Sequence, residues 1–156
     1  MTLTAVKFED GTTLTDRVLD WTQAICESLE TNYREYHRRL ITSNSFNPNG
    51  ELSQYAKDQL EELHNGTANL MKFRIETGRK YHKIIQQNYD TFQGRNEYRD
   101  GSVHAFVDKN TGEVYKPASW KSPAKHVRYD LRIINDRIKL HDPNYTGWSG
   151  GYLYMR

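Results

Sequence analysis

Val103-His-Ala-Phe-Val-Asp108, Lys109-Asn-Thr-Gly112 and Glu113-Val-Tyr-Lys116 together decide the fold class. The first segment is rich in β-branched and aromatic side chains, the second holds the Asn-Thr-Gly of a tight connection, and the third returns to Val and Tyr. That order reads as strand, turn and strand, with Gly112 in the left-handed conformation that a short hairpin loop requires. Before it, Gly94 to Gly101 is a polar connection. Beyond that connection the apolar period changes from two to between three and four, so helices come first and a hairpin later. The expected class is α+β: an N-terminal helical hairpin or bundle in residues 1–95, then a small antiparallel β-hairpin–helix module in residues 96–156.

In the N-terminal part, Val18, Trp21, Ile25, Leu29, Tyr33, Tyr36 and Leu40 recur in steps of three and four. This spacing predicts one long helix from about Thr15, with Thr13 or Thr15 as its cap and Asp16 and Asp20 at the positive end of its dipole. Thr42 to Gly50 is dense in turn formers and predicts a loop. A second helix is expected from Glu51, carrying Leu52, Ala56, Leu60 and Leu63, with His64-Asn65-Gly66 as its C-terminal cap. Leu70, Phe73, Tyr81, Ile84, Ile85 and Phe92 suggest a third helix, although Gly78 interrupts it. The long first stripe predicts self-association through the N-terminal helices.

After the hairpin, Lys121-Ser-Pro123 predicts a helix start, with Ser122 as cap and Pro123 at the first helical position. Val127, Leu131, Ile134 and Ile138 would form its buried stripe, and Asp142-Pro-Asn144 would end it. The tail from Gly147 to Met155 alternates weakly and suggests a short strand.

Composition limits the function classes. The chain of 156 residues has a net charge of +2, 11 Tyr, 5 Phe, 3 Trp and one cysteine. No apolar run approaches the roughly 20 residues of a membrane span, and the N-terminus lacks the charged and apolar regions of a secretory signal. The lone Cys26 excludes a disulfide framework within the chain and a zinc site built on several thiolates. The charge is uneven: residues 1–50 hold 5 Lys/Arg against 7 Asp/Glu, while residues 101–156 hold 9 against 5. That excess of four (9 − 5) points to a basic surface toward the C-terminal end.

On the expected C-terminal helix, Lys125, Arg128, Arg132 and Lys139 share one sector, and Lys121 precedes it on the same side. Lys109, Lys116, Tyr115 and Trp120 lie beside it on the hairpin and its exit. Cations neutralise phosphates and flat rings stack on bases, so Tyr115, Lys116, Trp120, Lys121, Lys125, Arg128 and Arg132 are the candidate nucleic-acid-binding residues. The same row has a plain alternative as a solvated helix face. Catalytic signals are weaker. His104 and Asp108, four apart on one strand, lie about 13 Å apart along it and form no dyad. His141-Asp142 lacks a third metal ligand at a suitable spacing. Neither a phosphate loop nor a zinc-protease or esterase motif is present. The expectation is a non-enzymatic protein without metal or cofactor, with Cys26 an inert core thiol.

Residues 103–125 also resemble a signature found in short, largely uncharacterised tailed-bacteriophage proteins. The resemblance rests on Val103-His-Ala-Phe-Val-Asp108, Thr111-Gly112, Val114-Tyr-Lys-Pro-Ala-Ser-Trp-Lys121 and Pro123-Ala-Lys125, and the tail Trp148 to Tyr154 is similar to the ending of some of them. It covers about the last third of the chain and implies a phage origin, with work in the host cytoplasm or the virion. The expected function is that of an accessory protein binding nucleic acid, or a host nucleic-acid machine, through the basic C-terminal module. A small head or tail protein of the virion and an inhibitor of a host enzyme remain the alternatives.

Overall fold

The structure is a computed structural model and describes residues 7–44, 48 and 50–154. Helix α1 spans Leu14–Asn44 and helix α2 Gln54–Asn65. Five strands follow: β1 Lys72–Thr77, β2 Tyr81–Asp90, β3 Glu97–Asp108, β4 Glu113–Tyr115 and β5 Tyr129–Asp130. A short helix α3, Ile134–Leu140, follows, and 3-10 turns lie at Phe92–Gly94, between β2 and β3, and at Gly151–Leu153. The strands form one antiparallel sheet in sequence order. The class is α+β, and no helix among the described residues is long and apolar enough to cross a membrane.

Helix α1 starts where its chemistry directs. The Asp16 N–H donates to Thr13 Oγ1 at 3.2 Å while the Thr13 N–H donates to Asp16 Oδ2 at 2.8 Å, a reciprocal cap. Its stripe of Leu14, Val18, Ile25, Cys26 and Leu29 is buried against Phe73, Ile84, Ala105, Val107 and Val114 of the sheet. Each large aliphatic side chain buried this way stabilises the fold by about 1.5–3 kcal/mol. Of the stripe that predicted self-association, Val18, Ile25 and Leu29 are buried within the chain, Trp21, Tyr33 and Tyr36 are partly buried, and Leu40 is exposed. Helix α2 begins at Ser53, whose Oγ accepts the Ala56 N–H, and ends at Gly66 with φ 73°. It packs on the far end of α1 through Ile41, Ala56 and Leu63. Of the expected loop at 42–50, residues 42–44 belong to α1, and 45–47 and 49 lie outside the described residues.

The expected third helix is two strands instead. Lys72-Phe-Arg-Ile-Glu-Thr77 alternates, with Phe73 and Ile75 packed toward the core and Arg74 bonded bidentately to Asp100 on the other face. Gly78 makes the turn that returns the chain, its N–H donating to the Tyr81 carbonyl at 2.8 Å. Strand β2 then pairs with β3 from Tyr81↔Asp108 to Asp90↔Glu97, so the sheet continues across residue 95.

The hairpin at 103–116 forms as expected. Asp108 Oδ1 accepts the N–H groups of Asn110 and Thr111, and Gly112 has φ 80°. Strand β3 carries an irregularity the sequence hides: Ile84 pairs with Ala105 but Ile85 with Val103. His104 is thus an extra residue in a bulge, and it turns to the α1 side against Phe73 rather than sharing a face with Asp108.

The largest correction concerns residues 117–133, which are not helical. Residues 116–128 form an arm closed by a Pro117↔Pro123 bridge. The Ser122 hydroxyl meets Ser119 Oγ at 3.1 Å instead of capping a helix, the Ala124 N–H goes to the Lys116 carbonyl, and His126 has φ 74°, which a helix does not admit. Of the expected stripe Leu131 is buried, whereas Val127, Ile134 and Ile138 are exposed, because α3 has only seven residues and buries Leu140. Among the described residues the tail forms no strand. It is held to α1 instead: Ser28 Oγ meets Thr146 Oγ1 at 2.7 Å, Asn32 Nδ2 donates to the Pro143 carbonyl, and the Trp148 N–H donates to Asn32 Oδ1.

Two outcomes check this packing. A Cβ at Gly112 would lie 3.2 Å from Leu131 Cβ and 3.4 Å from Val18 Cγ2 in a backbone that disfavours β-branched residues. Gly112→Val should therefore cost about 1–3 kcal/mol or more, read as a lower melting temperature. The second concerns acid. Burial holds His104 at about 4, below its ordinary 6.5, and pulls His82 and His141 down as well. The unfolded chain therefore takes up protons first, so stability is complete above about pH 6.5 and falls toward pH 4, by up to about 1.4 kcal/mol per pH unit for each such histidine. Denaturant midpoints measured across that window should decline, and a flat profile would put these rings in water.

Candidate nucleic-acid interface

Helix α1 covers one face of the sheet; the other carries Ile85, Val103 and Phe106, with Tyr81 and Tyr115 packed against them. Tyr81 meets Phe106 edge-on at 5.6 Å and Tyr115 at 6.1 Å between ring centroids. The arm reaches this face. Its tip is Trp120-Lys121, held by Ser119 and Ser122, whose carbonyl accepts the N–H groups of Ala118 and Ser119. Lys83 Nζ lies 5.7 Å from the Phe106 centroid and 5.6 Å from that of Trp120, so one ammonium sits between sheet and arm.

The β1–β2 turn supplies the remaining charge. Arg79, Lys80, Lys83 and Lys121 border a concavity of about 450 Å³, floored by Tyr81 and Phe106, with Glu76 as the one carboxylate of its wall among the described residues. Glu76 is shared between Arg74 at 3.7 Å and Lys83 at 3.9 Å. Lys80 Nζ stands 5.4 Å over the Tyr81 ring, and Lys109 Nζ is spent on the Gly78 carbonyl at 2.9 Å. Burial and the neighbouring Glu113 push the Tyr115 phenol upward, so it stays neutral.

The candidate residues read from the sequence separate. Tyr115, Trp120 and Lys121 come together with the β1–β2 turn. Lys116 turns to a different cavity, its Nζ 4.7 Å over the Tyr154 ring. Lys125 shares no helix face with the others, since the helix that was to align them does not form. Arg128 is structural: Nε donates to the Leu153 carbonyl at 2.7 Å, and Nη1 to the carbonyls of Lys125 and His126 at 2.6 Å each. Arg132 is closed onto Asp130 in a bidentate pair, with Nη2–Oδ2 at 2.7 Å. Cys26 is buried, and desolvation with Glu30 and Glu27 nearby pushes its thiol up to about 12. His141 Nε2 donates to the Trp21 carbonyl at 3.0 Å.

Sequence reading misses Arg79, Lys80, Lys83 and Tyr81 because it sets them on a helix. The alternation of Lys72 to Thr77 was the signal that could have found them. No curated protein and no solved structure matches the chain significantly. A family model does match, over residues 5–155, so that α1, the whole sheet, the arm and the tail all fall inside it, and the chain belongs to the family of unknown function DUF7717.

Proposed function

We propose that this protein binds single-stranded nucleic acid, without catalysing a reaction on it, through the concavity between the β1–β2 turn and the arm. One observation carries the reading: four cations from two separate segments, Arg79, Lys80 and Lys83 on one side and Lys121 on the other, converge on a floor of aromatic rings. Charge of this density attracts phosphates, and the exposed Trp120 offers a stacking surface to an unpaired base. A duplex keeps its bases stacked inside and cannot use the rings, which favours single strands. The resemblance of residues 103–125 to tailed-phage proteins supports an accessory role in an infected host cell, on nucleic acid itself or on a machine that holds it.

The test is fluorescence anisotropy with a labelled oligothymidine. Wild-type protein should bind at micromolar concentration, and log affinity should fall with log salt with a slope of about −2 to −3 for three or four phosphate contacts on a single strand. Replacing Arg79, Lys80 and Lys121 together by Gln should weaken binding by about tenfold or more at moderate salt while the melting temperature holds, because exposed charges contribute little to folding. Lys125→Gln with Arg132→Gln should change affinity by less than about twofold, since neither side chain borders the concavity. Absence of salt-sensitive binding, or equal affinity for the triple variant, would overturn the reading.

A further inference from the structure

A second cavity, of about 330 Å³, lies between the bulged part of β3 and the tail. One wall is made by Gln86, Ser102 and His104, and the other by Trp148, Gly150 and Tyr154, with Lys116 at the rim. Both walls are firmly set. The bulge fixes His104, and the bonds from Ser28, Asn32 and Arg128 fix the tail. The Arg128 guanidinium reaches the Leu153 carbonyl directly behind it.

The protonation of this cavity follows from its bonding. His104 Nε2 lies 2.7 Å from the Tyr152 hydroxyl. Burial raises the Tyr152 phenol well above its ordinary range, so it keeps its proton, and burial keeps the His104 ring neutral. Among the described residues the Tyr152 hydroxyl proton has no acceptor except Nε2. Nε2 is therefore the lone-pair nitrogen, and the single ring proton sits on Nδ1. Among the described residues only His82 Nε2 is a fully buried polar atom without a partner, so the His104 Nδ1–H is not sealed in the core but opens onto the cavity beside Gly150. Gly150, at φ 85°, keeps the ring edge open, since a Cβ there would lie 3.7 Å from Cε1 and 4.0 Å from Nδ1.

Two further polar groups of the cavity are donors. Gln86 Oε1 accepts the Ser102 hydroxyl at 3.3 Å, which leaves its amide NH₂ for the cavity. Lys116 carries a full positive charge above the Tyr154 ring. Among the described residues no carboxylate lines the cavity. A space bounded by an ammonium, an amide and an imidazole N–H suits a multiply charged oxyanion, and the exposed ring of Tyr154, beside a Trp148 braced by Tyr33 and Tyr36, suits a ring attached to it.

We propose that this cavity binds a nucleoside monophosphate unit, with the phosphate on Lys116, Gln86 and His104 Nδ1–H and the base against Trp148 and Tyr154. The site does not depend on the nucleic-acid interface, which it shares no residue with. A free nucleotide and the 5′ end of a strand both supply such a phosphate monoester, and the chemistry recognised is the same.

The experiment is calorimetric titration of the full chain with 5′-AMP, adenosine and inorganic phosphate. 5′-AMP should bind at least about tenfold more tightly than either fragment, because the charge-assisted contacts and the stacking surface act together. Lys116→Gln and, separately, Tyr154→Ala should each weaken 5′-AMP binding about tenfold or more with the melting temperature unchanged. The Arg79/Lys80/Lys121→Gln variant should retain it, which separates this proposal from the oligonucleotide interface. In that variant, tighter binding of a 5′-phosphorylated oligonucleotide than of its 5′-hydroxyl form identifies a strand end as the source, and binding of 5′-AMP alone identifies the free nucleotide. A proton NMR signal from His104 Nδ1–H should shift on addition of 5′-AMP. Failure of 5′-AMP to bind at millimolar concentration, or undiminished binding by both single variants, would overturn the proposal.

Discussion

An antiparallel sheet has two faces, and one long helix can cover only one of them. That constraint governs the rest of this molecule. The stripe from Leu14 through Leu29 is committed to Phe73, Ile84, Ala105 and Val107, and burial of that seam is the main source of stability. The opposite face has an apolar centre of its own in Ile85, Val103 and Phe106, which is buried. It receives only partly exposed tyrosines and a short arm. The lysines and the arginine that fringe this covering are the ones on which the proposed binding rests.

Two local devices adapt the sheet to this division. The bulge at His104 sends two consecutive side chains, His104 and Ala105, toward the α1 side, and returns Val103 and Phe106 to the arm side. The extra inward residue meets Tyr152, which ties the tail to the core. On the other strand edge, Arg128 takes carbonyls from Lys125, His126 and Leu153, and so joins arm and tail through one guanidinium. A cation used this way is part of the scaffold rather than of a binding surface. The same logic separates Arg132, neutralised by Asp130, from Lys121, which faces the concavity.

How much of this was legible depends on whether local signals agreed with the tertiary demand. Thr13, Gly66 and Gly112 each act through their own backbone, and sequence reading named all three, Thr13 beside Thr15 as the alternative, whereas the Ser53 cap of α2 went unnamed because that helix was expected from Glu51. The α1 stripe was legible because its period is unbroken over many turns. The stretch from Leu70 to Phe92 misled, since Ile84-Ile85 and the Gly78 interruption fit a dented helix as well as two strands, and only pairing with β3 decides between them. Ser122-Pro123 misled for another reason: a serine before a proline serves a tight turn as well as a helix start, and here Ser119 claims the hydroxyl. The basic row went with that helix. Tyr115, Trp120 and Lys121 survived as neighbours of a cationic site whose other half lies some forty residues earlier, which no linear spacing could reveal.

The central claim is that the arm-side face of the sheet is the working face. Amide chemical-shift mapping during titration with a short single-stranded oligonucleotide tests it most directly, because every residue reports and no substitution is needed. The account predicts shifts confined to the β1–β2 turn from Thr77 to Lys83, to Phe106 and Tyr115, and to Trp120 and Lys121, with the outer surface of α1 and α3 unmoved. Shifts concentrated on α1 or α3, or a spectrum unchanged at saturating oligonucleotide, would contradict it.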